Sequence, residues 1–444
     1  MLRPICSKLR KKGNLEASHG KTRKPFFHDN HNRIKSQPAT LAERRSKCIG
    51  KKTGFIERQR QVTGAGFAQA LVLGGLSNPD GTRKQLHHHA TQAGMHLSVQ
   101  GLDQRFSPKS VDFMRRLLEA GMSQVVQSET KGCILPQFKG VYITDCTRLV
   151  WEQLGLKLGV RFELQQGQLE ACLMDLKQND QRATVIENPL PQGALHLNDL
   201  GLFKLKRLQQ WSQQGIYWLV RYKVGTCLYD SEGHRLDLRT LLGGGNALHL
   251  HVGIGSGQDR QWVELCAAPL SGDALSKRQA RLKEQSRLDQ RPLSQRQHDV
   301  AAWTIYLTNI PHLTFDQAHI LARTRWQVEL LFKLWKSHGK VLISRSADPI
   351  RQQCEGLAKL LGVLIAHWVL LVAGWQPQHL SPLDALRILR SHISHFHLAC
   401  QRSSCFPTFF RILAHDLAWA SPRSKRRKHP LAFQLWSTLD LHLP

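Results

Sequence analysis

The sequence predicts an α/β protein whose mixed central region is flanked by helical segments. A β-rich run at 141–144 leads into Asp145, and Leu195 and Leu197 alternate along a second short strand that leads into Asp199. The stretch LARTRWQVELLFKLWKSHG, 321–339, is typical of one helix because it has no proline and ends in glycine. With 444 residues, 41% of them hydrophobic, the chain can bury a large core.

The charge of the chain indicates a polyanionic partner. The formal net charge is +29 and the isoelectric point is near 10.2, so nucleic acid is the first candidate and an anionic membrane surface the second. The apolar run Leu360 to Trp375 is short for a membrane span and contains His367, which favours a buried core helix. Without a hydrophobic signal-peptide core or metal-type cysteine spacing, we expect free thiols in a reducing cytoplasm.

The N-terminal segment, residues 1–59, is predicted to be a flexible basic arm. Residues 1–60 contain 17 Lys and Arg against four acidic residues and show no hydrophobic periodicity. Such an arm can contact phosphates without sequence preference. The alternative is an unstructured tail without a role.

Residues 60–135 are predicted to form a helical DNA-binding domain. One helix ends at Gly94, and a second begins at the N-cap Ser98. Two helices across a short turn fit a helix-turn-helix, although ordinary helical packing explains the same pattern. In the DNA-binding interpretation, three side chains of the second helix face outward to DNA, namely Gln100, Gln104 and Arg105.

The central region carries two aspartates, each placed where a short strand ends. Asp145 follows the first strand, and Asp199 follows the second. Between them, GVRFELQQGQLEA predicts a hairpin with its turn at 165–167, and 170–177 predicts a short amphipathic helix. Either aspartate alone is typical of a turn or cap.

The 321–339 helix places one carboxylate among cations. At 100° per residue, Arg325, Glu329, Lys333 and Lys336 share a strip beside the apolar face. Surface ion pairs explain this arrangement, because Glu329 and Lys333 have the favourable spacing. The alternative is a metal-binding carboxylate flanked by cations that hold nucleic-acid phosphates.

RWQVELLFKLWK resembles the signature of the DDE-type bacterial insertion-sequence transposases of the insertion-sequence-four family. That signature is a Tyr, an Arg three residues later, the catalytic Glu four after that, and a Lys seven further on. Arg325, Glu329 and Lys336 match it, whereas Ala322 occupies the Tyr position. Asp145 and Asp199 resemble the family's two aspartate motifs, the second with one extra residue before its aromatic. The resemblance covers roughly residues 60–375.

The resemblance implies an RNase H-like mixed sheet with flanking helices, interrupted by a β-rich insertion. It implies a catalytic and metal-binding set of Asp145, Asp199 and Glu329 that holds two Mg²⁺ ions, with Mn²⁺ as the alternative. Arg325, Lys333 and Lys336 would then bind DNA phosphates. Trp303 is similar in placement to a tryptophan that stacks on a flipped base, although a core role explains it equally well.

The resulting division has six segments: 1–59, basic arm; 60–135, DNA-binding domain; 136–205, first part of the core; 206–300, insertion; 301–375, second part of the core; 376–444, helical basic tail. The insertion ends in a basic segment, 276–299, with seven Lys or Arg that would face DNA.

The resemblance predicts a bacterial, cytoplasmic, nucleoid-associated enzyme. It would bind the terminal inverted repeats of its own element in double-stranded DNA as a homodimer and move the element by cut-and-paste. Two alternatives stay open. One is a decayed or repurposed DNA-binding protein without catalysis, which Ala322 favours; the other is a membrane-surface protein.

Overall fold

The structure is a computed structural model that describes residues 46–57, 61–124, 126, 135–152, 154–176, 186, 188–255, 257, 260–376, 379–423, 425, 430–439 and 441. Most of the predicted basic arm, residues 1–45, lies outside the described residues. The same holds for most of the basic cluster at 423–428. Residues 46–52, at the end of the predicted arm, are helical.

The N-terminal region is helical, as the sequence predicts. Its helices are α1 (Gly64–Ser77), α2 (Arg83–Gln92), α3 (Val99–Asp103) and α4 (Pro108–Met122). Thr82 caps α2 with a capping box, and Gly94, whose φ is +81°, ends the following turn. Ser98 caps α3 by accepting a hydrogen bond from the backbone N–H of Gly101, as predicted.

One ten-stranded sheet forms the centre of the molecule, in the spatial order β3-β2-β1-β4-β5-β10-β9-β8-β6-β7. The strands are β1 (Val141–Trp151), β2 (Leu154–Glu163), β3 (Leu169–Asp175), β4 (Leu195–Leu197), β5 (Tyr217–Arg221), β6 (Leu228–Tyr229), β7 (Arg235–Leu236), β8 (Leu248–Ile254), β9 (Gln261–Pro269) and β10 (Trp303–Thr308). β4 is parallel to β1 and to β5, and all other neighbouring strands are antiparallel. The protein is therefore a mixed α/β protein with a mostly antiparallel sheet.

The strands of the predicted insertion continue this sheet. β9 pairs with β10, so the strands β6 to β9 extend the same sheet beyond β5 and β10. Here lies a second hydrophobic core that includes Trp218, Leu228 and Trp303. The division of the chain into six segments stays a prediction.

The remaining helices are α5 (Leu205–Gln213), α6 (Leu238–Leu242), α7 (Gly272–Asp289), α8 (Gln295–Ala301), α9 (Phe315–Thr324), α10 (Trp326–Lys333), α11 (Pro349–Val372), α12 (Pro382–Ser391), α13 (Ile393–Gln401), α14 (Phe406–Leu417) and α15 (Ala432–Leu435). α7, in the predicted basic segment, has no buried residue. Its cations other than Arg278 are exposed to solvent.

The long helix α11 lies in the main core and packs against α1 and α4. It is long and apolar enough to cross a membrane, but 89% of its apolar window is buried inside the protein. His367 in this helix bonds the backbone carbonyl of Gly167 through Nε2 over 2.7 Å. The predicted core helix is confirmed.

The prediction of one continuous helix over 321–339 is wrong in detail. Helix α9 begins earlier, at Phe315, and the backbone turns more tightly at Arg325, whose N–H bonds the carbonyl of Ala322. After α10 the chain forms a π-helix, Leu334–His338, with a bond from Gly339 N–H to the Leu334 carbonyl. Arg325 and Glu329 nevertheless keep the i, i+4 contact that a helix gives.

Two strand predictions also need correction. β1 does not end before Asp145; it continues to Trp151 because β2 pairs with it along that length. The predicted helix at 170–177 is wrong, since the structure has β3 there, and seven of its residues pair with β2. The sheet partner outweighs the helical periodicity of this short segment.

Candidate active site

The parallel pairing of β1 and β4 brings the two aspartates together. Ile143 of β1 is the register partner of Leu197 of β4. Asp145 and Asp199 each lie two residues further along the chain. Because side chains two residues apart point to the same face of a sheet, both aspartates lie on one face and at the same height along it. Residues 54 positions apart in sequence thus become neighbours.

Local hydrogen bonds fix the two carboxylates. Asp145 Oδ1 accepts a hydrogen bond from the backbone N–H of Cys146 over 2.7 Å. Asp199 caps a short 3₁₀ turn, and its Oδ2 accepts a bond from the N–H of Gly201 over 3.2 Å. The cap that the sequence suggests for Asp199 is present, and its other oxygen still faces the site.

The guanidinium of Arg325 joins the two aspartates to the glutamate of α10. Arg325 Nη1 lies 3.2 Å from Asp145 Oδ2 and 3.5 Å from Asp199 Oδ1. Its Nη2 donates to Glu329 Oε1 over 2.8 Å. The Arg325 side chain is only 17% exposed. Three acids from separate elements therefore surround one cation.

The electrostatics of Asp145 reflect this crowding. Burial raises the pKa of the Asp145 carboxyl, and the nearby charges of Asp199 and Glu329 also raise it. The bond from Cys146 and the charge of Arg325 lower this pKa in part. Such a carboxylate cluster needs positive charge, and hard divalent cations prefer oxygen ligands. The donor set therefore fits Mg²⁺ or a similar ion.

This geometry agrees with comparisons with known proteins. The family description "Transposase DDE domain" matches residues 141–365, half of the chain, and this range contains all three carboxylates. This chain belongs to the DDE transposase family. The predicted resemblance to DDE-type insertion-sequence transposases is confirmed. Family membership supports DNA transposase function, with DNA as substrate, and implies a divalent metal ion.

Named relatives match most of the transposase. The transposase of insertion sequence element IS231F from Bacillus thuringiensis subsp. israelensis is 22% identical, over 88% of this chain and 92% of the relative. That of IS231B from Bacillus thuringiensis subsp. berliner is 23% identical, over 85% and 89%. That of IS1151 from Clostridium perfringens is 25% identical, over 72% and 76%.

The predicted phosphate-binding cations lie on and after α10 of the transposase. Lys333 is exposed, and Lys336 is half-buried in the π-helix, where burial lowers its pKa. Within the described residues neither lysine forms an ion pair, so the predicted pair between Glu329 and Lys333 is replaced by the pair with Arg325. Ala322, at the Tyr position, is half-buried in α9.

Trp303 lies away from solvent. It is the first residue of β10, is 7% exposed and belongs to the second hydrophobic core. Its carbonyl accepts a hydrogen bond from Arg278 of α7 over 2.6 Å. The burial of Trp303 therefore supports a core role and not stacking on a flipped base.

Trp326 is an exposed aromatic residue beside the carboxylates, and it is not among the residues predicted from the sequence. Trp326 follows Arg325 directly and is 52% exposed, and Leu330 follows Glu329 and is 46% exposed. Both residues lie outside the apolar arc of the 321–339 helix, on the side of Lys333. The position of an apolar residue outside the buried arc was the sequence signal that could have identified Trp326 as exposed.

The proposed DNA-reading side chains lie in the N-terminal helices. Gln100, Gln104 and Arg105 are all exposed, on and just after α3. α3 itself is only five residues long. Its last residue, Asp103, forms an ion pair with Arg83 and a second with Arg351 of α11.

A second group of metal-ligating side chains lies in the turn between β6 and β7. Asp230, Glu232 and His234 bring their ligand atoms together there. Asp230 already accepts hydrogen bonds from the backbone N–H groups of Glu232 and His234. These bonds explain the cluster as a hairpin turn.

Proposed function

We propose that the transposase cuts and joins DNA at the ends of its own insertion sequence, using Asp145, Asp199 and Glu329 as its catalytic carboxylates. The observation that carries this proposal is the contact of all three with one guanidinium, that of Arg325. A family domain that spans them supports it. Water would cleave the strand first, and the new 3′-hydroxyl would then attack the target phosphodiester.

The strand order supports an RNase H-like assignment for the catalytic core. β3, β2 and β1 are antiparallel, and β4 and β5 then follow in parallel with β1. The carboxylates lie on β1, after β4 and on a helix that contacts β1. This is the placement that the resemblance implies for two strand aspartates and one helix glutamate.

Asp145, Asp199 and Glu329 would hold the divalent cations, for which we propose Mg²⁺, with Mn²⁺ as the alternative. When bound, these cations stabilise the charge that develops on the phosphate oxygens and favour ionisation of the attacking water. The backbone bonds at Asp145 and Asp199 orient both carboxylates before DNA arrives. Preorganised groups of this kind avoid reorganisation during the reaction.

Cations and an aromatic side chain would position the DNA. Lys333 and Lys336 would contact phosphates beside the carboxylates, and Arg325 would join them once the divalent cations neutralise the acids. Trp326 offers an exposed indole on which an unstacked base can lie. The exposed cations of α7 would add further phosphate contacts.

The N-terminal domain would recognise the terminal inverted repeats. Gln100, Gln104 and Arg105 are exposed at one end of the helical domain, and side chains of these types read base edges. The ion pair between Asp103 and Arg351 ties this region to the catalytic core. We propose a homodimer on two DNA ends, acting in the bacterial cytoplasm.

Strand cleavage tests the proposal. We expect Asp145→Asn, Asp199→Asn and Glu329→Gln each to abolish cleavage of an end-containing duplex in Mg²⁺, while binding to the same duplex persists. Asp230→Asn, in the β6–β7 turn, is the matched control and should cleave as the wild type does. Cleavage by all three triad variants would refute the assignment.

A second candidate function is that of a DNA-binding protein that has lost catalysis. Ala322 favours it, because the family's Tyr at this position helps to hold the DNA backbone. The carboxylate cluster, by contrast, is complete. Ala322→Tyr should raise cleavage if the active site is otherwise functional. Binding without cleavage by both wild type and Ala322→Tyr would establish the second candidate.

A further inference from the structure

A polar pocket of about 210 Å³ lies on the opposite face of the sheet from the carboxylates. Thr144 of β1 and His196 of β4 line it, and each alternates along its strand with residues of the carboxylate face. Helix α5 contributes Arg207 and Trp211 to the wall. The pocket is thus separate from the catalytic site.

His196 lines this pocket and has a buried ring nitrogen without a hydrogen-bond partner among the described residues. The residue is 2% exposed, and burial, followed by the charges of Arg161 and Arg207, lowers the pKa of its imidazole to about 3. The ring is therefore neutral at pH 7. Its Nε2 lies 2.9 Å from Thr144 Oγ1, whereas Nδ1 has no hydrogen-bond partner in the part of the chain that the structure describes. With the threonine hydroxyl donating to Nε2, the proton resides on Nδ1 and can be donated to a ligand.

Two guanidinium groups add positive charge. Arg161 forms a buried ion pair with Glu170 and donates to the carbonyl of Asn188 over 2.8 Å, but its Nε–H finds no acceptor among the described residues. Arg207 is half-buried and has no ion-pair partner among the described residues; burial alone lowers its pKa. A desolvated guanidinium without a counter-charge is costly.

One acceptor belongs to another residue of the pocket lining. Asn198 Oδ1 is buried and receives no hydrogen bond from the described residues. The polar groups without a complete set of partners are thus donors from two arginines and one histidine, together with the acceptor oxygen of Asn198. A small anion that carries one hydroxyl group matches this set, because its oxygens accept from the donors and its hydroxyl donates to Asn198.

We propose that this pocket binds a phosphate group that keeps one P–OH, either inorganic phosphate or a terminal phosphate monoester of DNA bound as its monoanion. A backbone phosphodiester has no hydroxyl and cannot satisfy Asn198. The two sources are chemically alike at the phosphate, and hydrolysis that frees a 3′-hydroxyl leaves a 5′-phosphate on the other fragment. This inference goes beyond the proposed function and does not depend on the catalytic carboxylates.

Calorimetric titration of the full chain with inorganic phosphate, at ionic strength held constant with chloride, tests the proposal. We expect one phosphate per chain in the wild type, and a loss of affinity of at least about tenfold in Arg207→Gln. Lys206→Gln, which changes the exposed neighbouring cation on α5, should bind as the wild type does. Arg207→Lys keeps the positive charge and should recover part of the affinity. This recovery would show that the loss in Arg207→Gln comes from the missing charge and not from misfolding.

Competition with short oligonucleotides identifies the source. Displacement of phosphate by a 5′-phosphorylated strand, and not by its 5′-hydroxyl counterpart, assigns the pocket to a DNA end. Displacement by neither assigns it to free phosphate. Equal displacement by both, absence of phosphate binding, or equal affinity in Arg207→Gln and Lys206→Gln would overturn the proposal. Asp145→Asn should bind phosphate as the wild type does. A failure of the catalytic assignment is therefore distinguishable from a failure of the pocket proposal.

Discussion

Arg325 donates a hydrogen bond from Nη1 to Asp145 Oδ2 over 3.2 Å, joining the start of a helix to a strand residue 180 positions earlier. The same guanidinium contacts Asp199 and Glu329. It is thus the internal counter-ion of the carboxylate cluster. Arg325 and bound divalent cations both neutralise the negative charge of the three carboxylates. Their effects on the stability of the protein should therefore be linked, and this linkage can be measured.

Arg325→Gln should destabilise the metal-free protein by about 1–3 kcal/mol, because the partly buried carboxylates lose a charged donor. Mg²⁺ should then raise the unfolding temperature more in the variant than in the wild type. Thermal unfolding with chelator and with Mg²⁺ measures both effects. Arg116→Gln, which breaks an exposed pair with Asp112, is the control and should change little. Equal Mg²⁺ responses in wild type and Arg325→Gln would contradict the counter-ion role.

Trp303 and Trp326 should behave in opposite ways. Trp303→Ala removes a buried core side chain and should cost about 3–5 kcal/mol of unfolding free energy. Trp326→Ala should leave stability nearly unchanged and weaken DNA binding by about 1–3 kcal/mol, the range for loss of one stacked base. Chemical denaturation and binding to an end-containing oligonucleotide separate the two effects. DNA binding that is unaffected by Trp326→Ala would exclude the stacking role.

Lys333→Gln tests whether the exposed cation of α10 contacts a phosphate. Loss of one phosphate contact should reduce the slope of log K against log salt concentration by about one unit. Affinity should fall similarly for specific and nonspecific duplexes, since such a contact reads no bases. Binding isotherms at several salt concentrations provide the slope. An unchanged slope would place Lys333 outside the DNA interface.

His367 should make the fold sensitive to acid. Burial lowers the pKa of its imidazole to about 4, from an ordinary value of 6.5, so the folded state keeps it neutral. Between these values the unfolded chain binds the proton and the folded chain does not, so stability falls as the pH falls. The loss can reach about 3 kcal/mol.

Denaturation at pH 7 and pH 4.5 measures this effect. His367→Gln, whose amide can still donate to the Gly167 carbonyl, should show a smaller loss of stability on acidification. His96→Gln changes an exposed histidine and should keep the wild-type profile. A wild-type loss that His367→Gln does not reduce would show that other groups dominate.

Local patterns predicted much of the fold. The hairpin between β2 and β3, the strand before Asp199 and the buried helix α11 follow from hydrophobic periodicity and turn residues. The segment at 170–177 was mispredicted because its strand conformation depends on pairing with β2. Pairing between strands is a tertiary effect that periodicity within a short segment cannot report.

The candidate site was predicted in part. The motif resemblance selected Asp145, Asp199, Glu329 and Arg325, and the structure brings these side chains together. It could not show that Arg325 contacts all three acids, because this depends on the pairing of β1 with β4 and on the packing of α10 against β1. Nor could it show that Trp303 is buried, since its burial is decided by the packing of β10 in the second core.

Binding of Mn²⁺, followed by electron paramagnetic resonance, tests most directly whether the three carboxylates form one metal centre. Asp145→Asn, Asp199→Asn and Glu329→Gln should each weaken Mn²⁺ binding by more than about tenfold, because each removes a charged oxygen ligand from a shared site. Asp230→Asn, in the other carboxylate-containing cluster, should bind as the wild type does. Wild-type affinity in the three triad variants, or loss of binding in Asp230→Asn alone, would contradict the account.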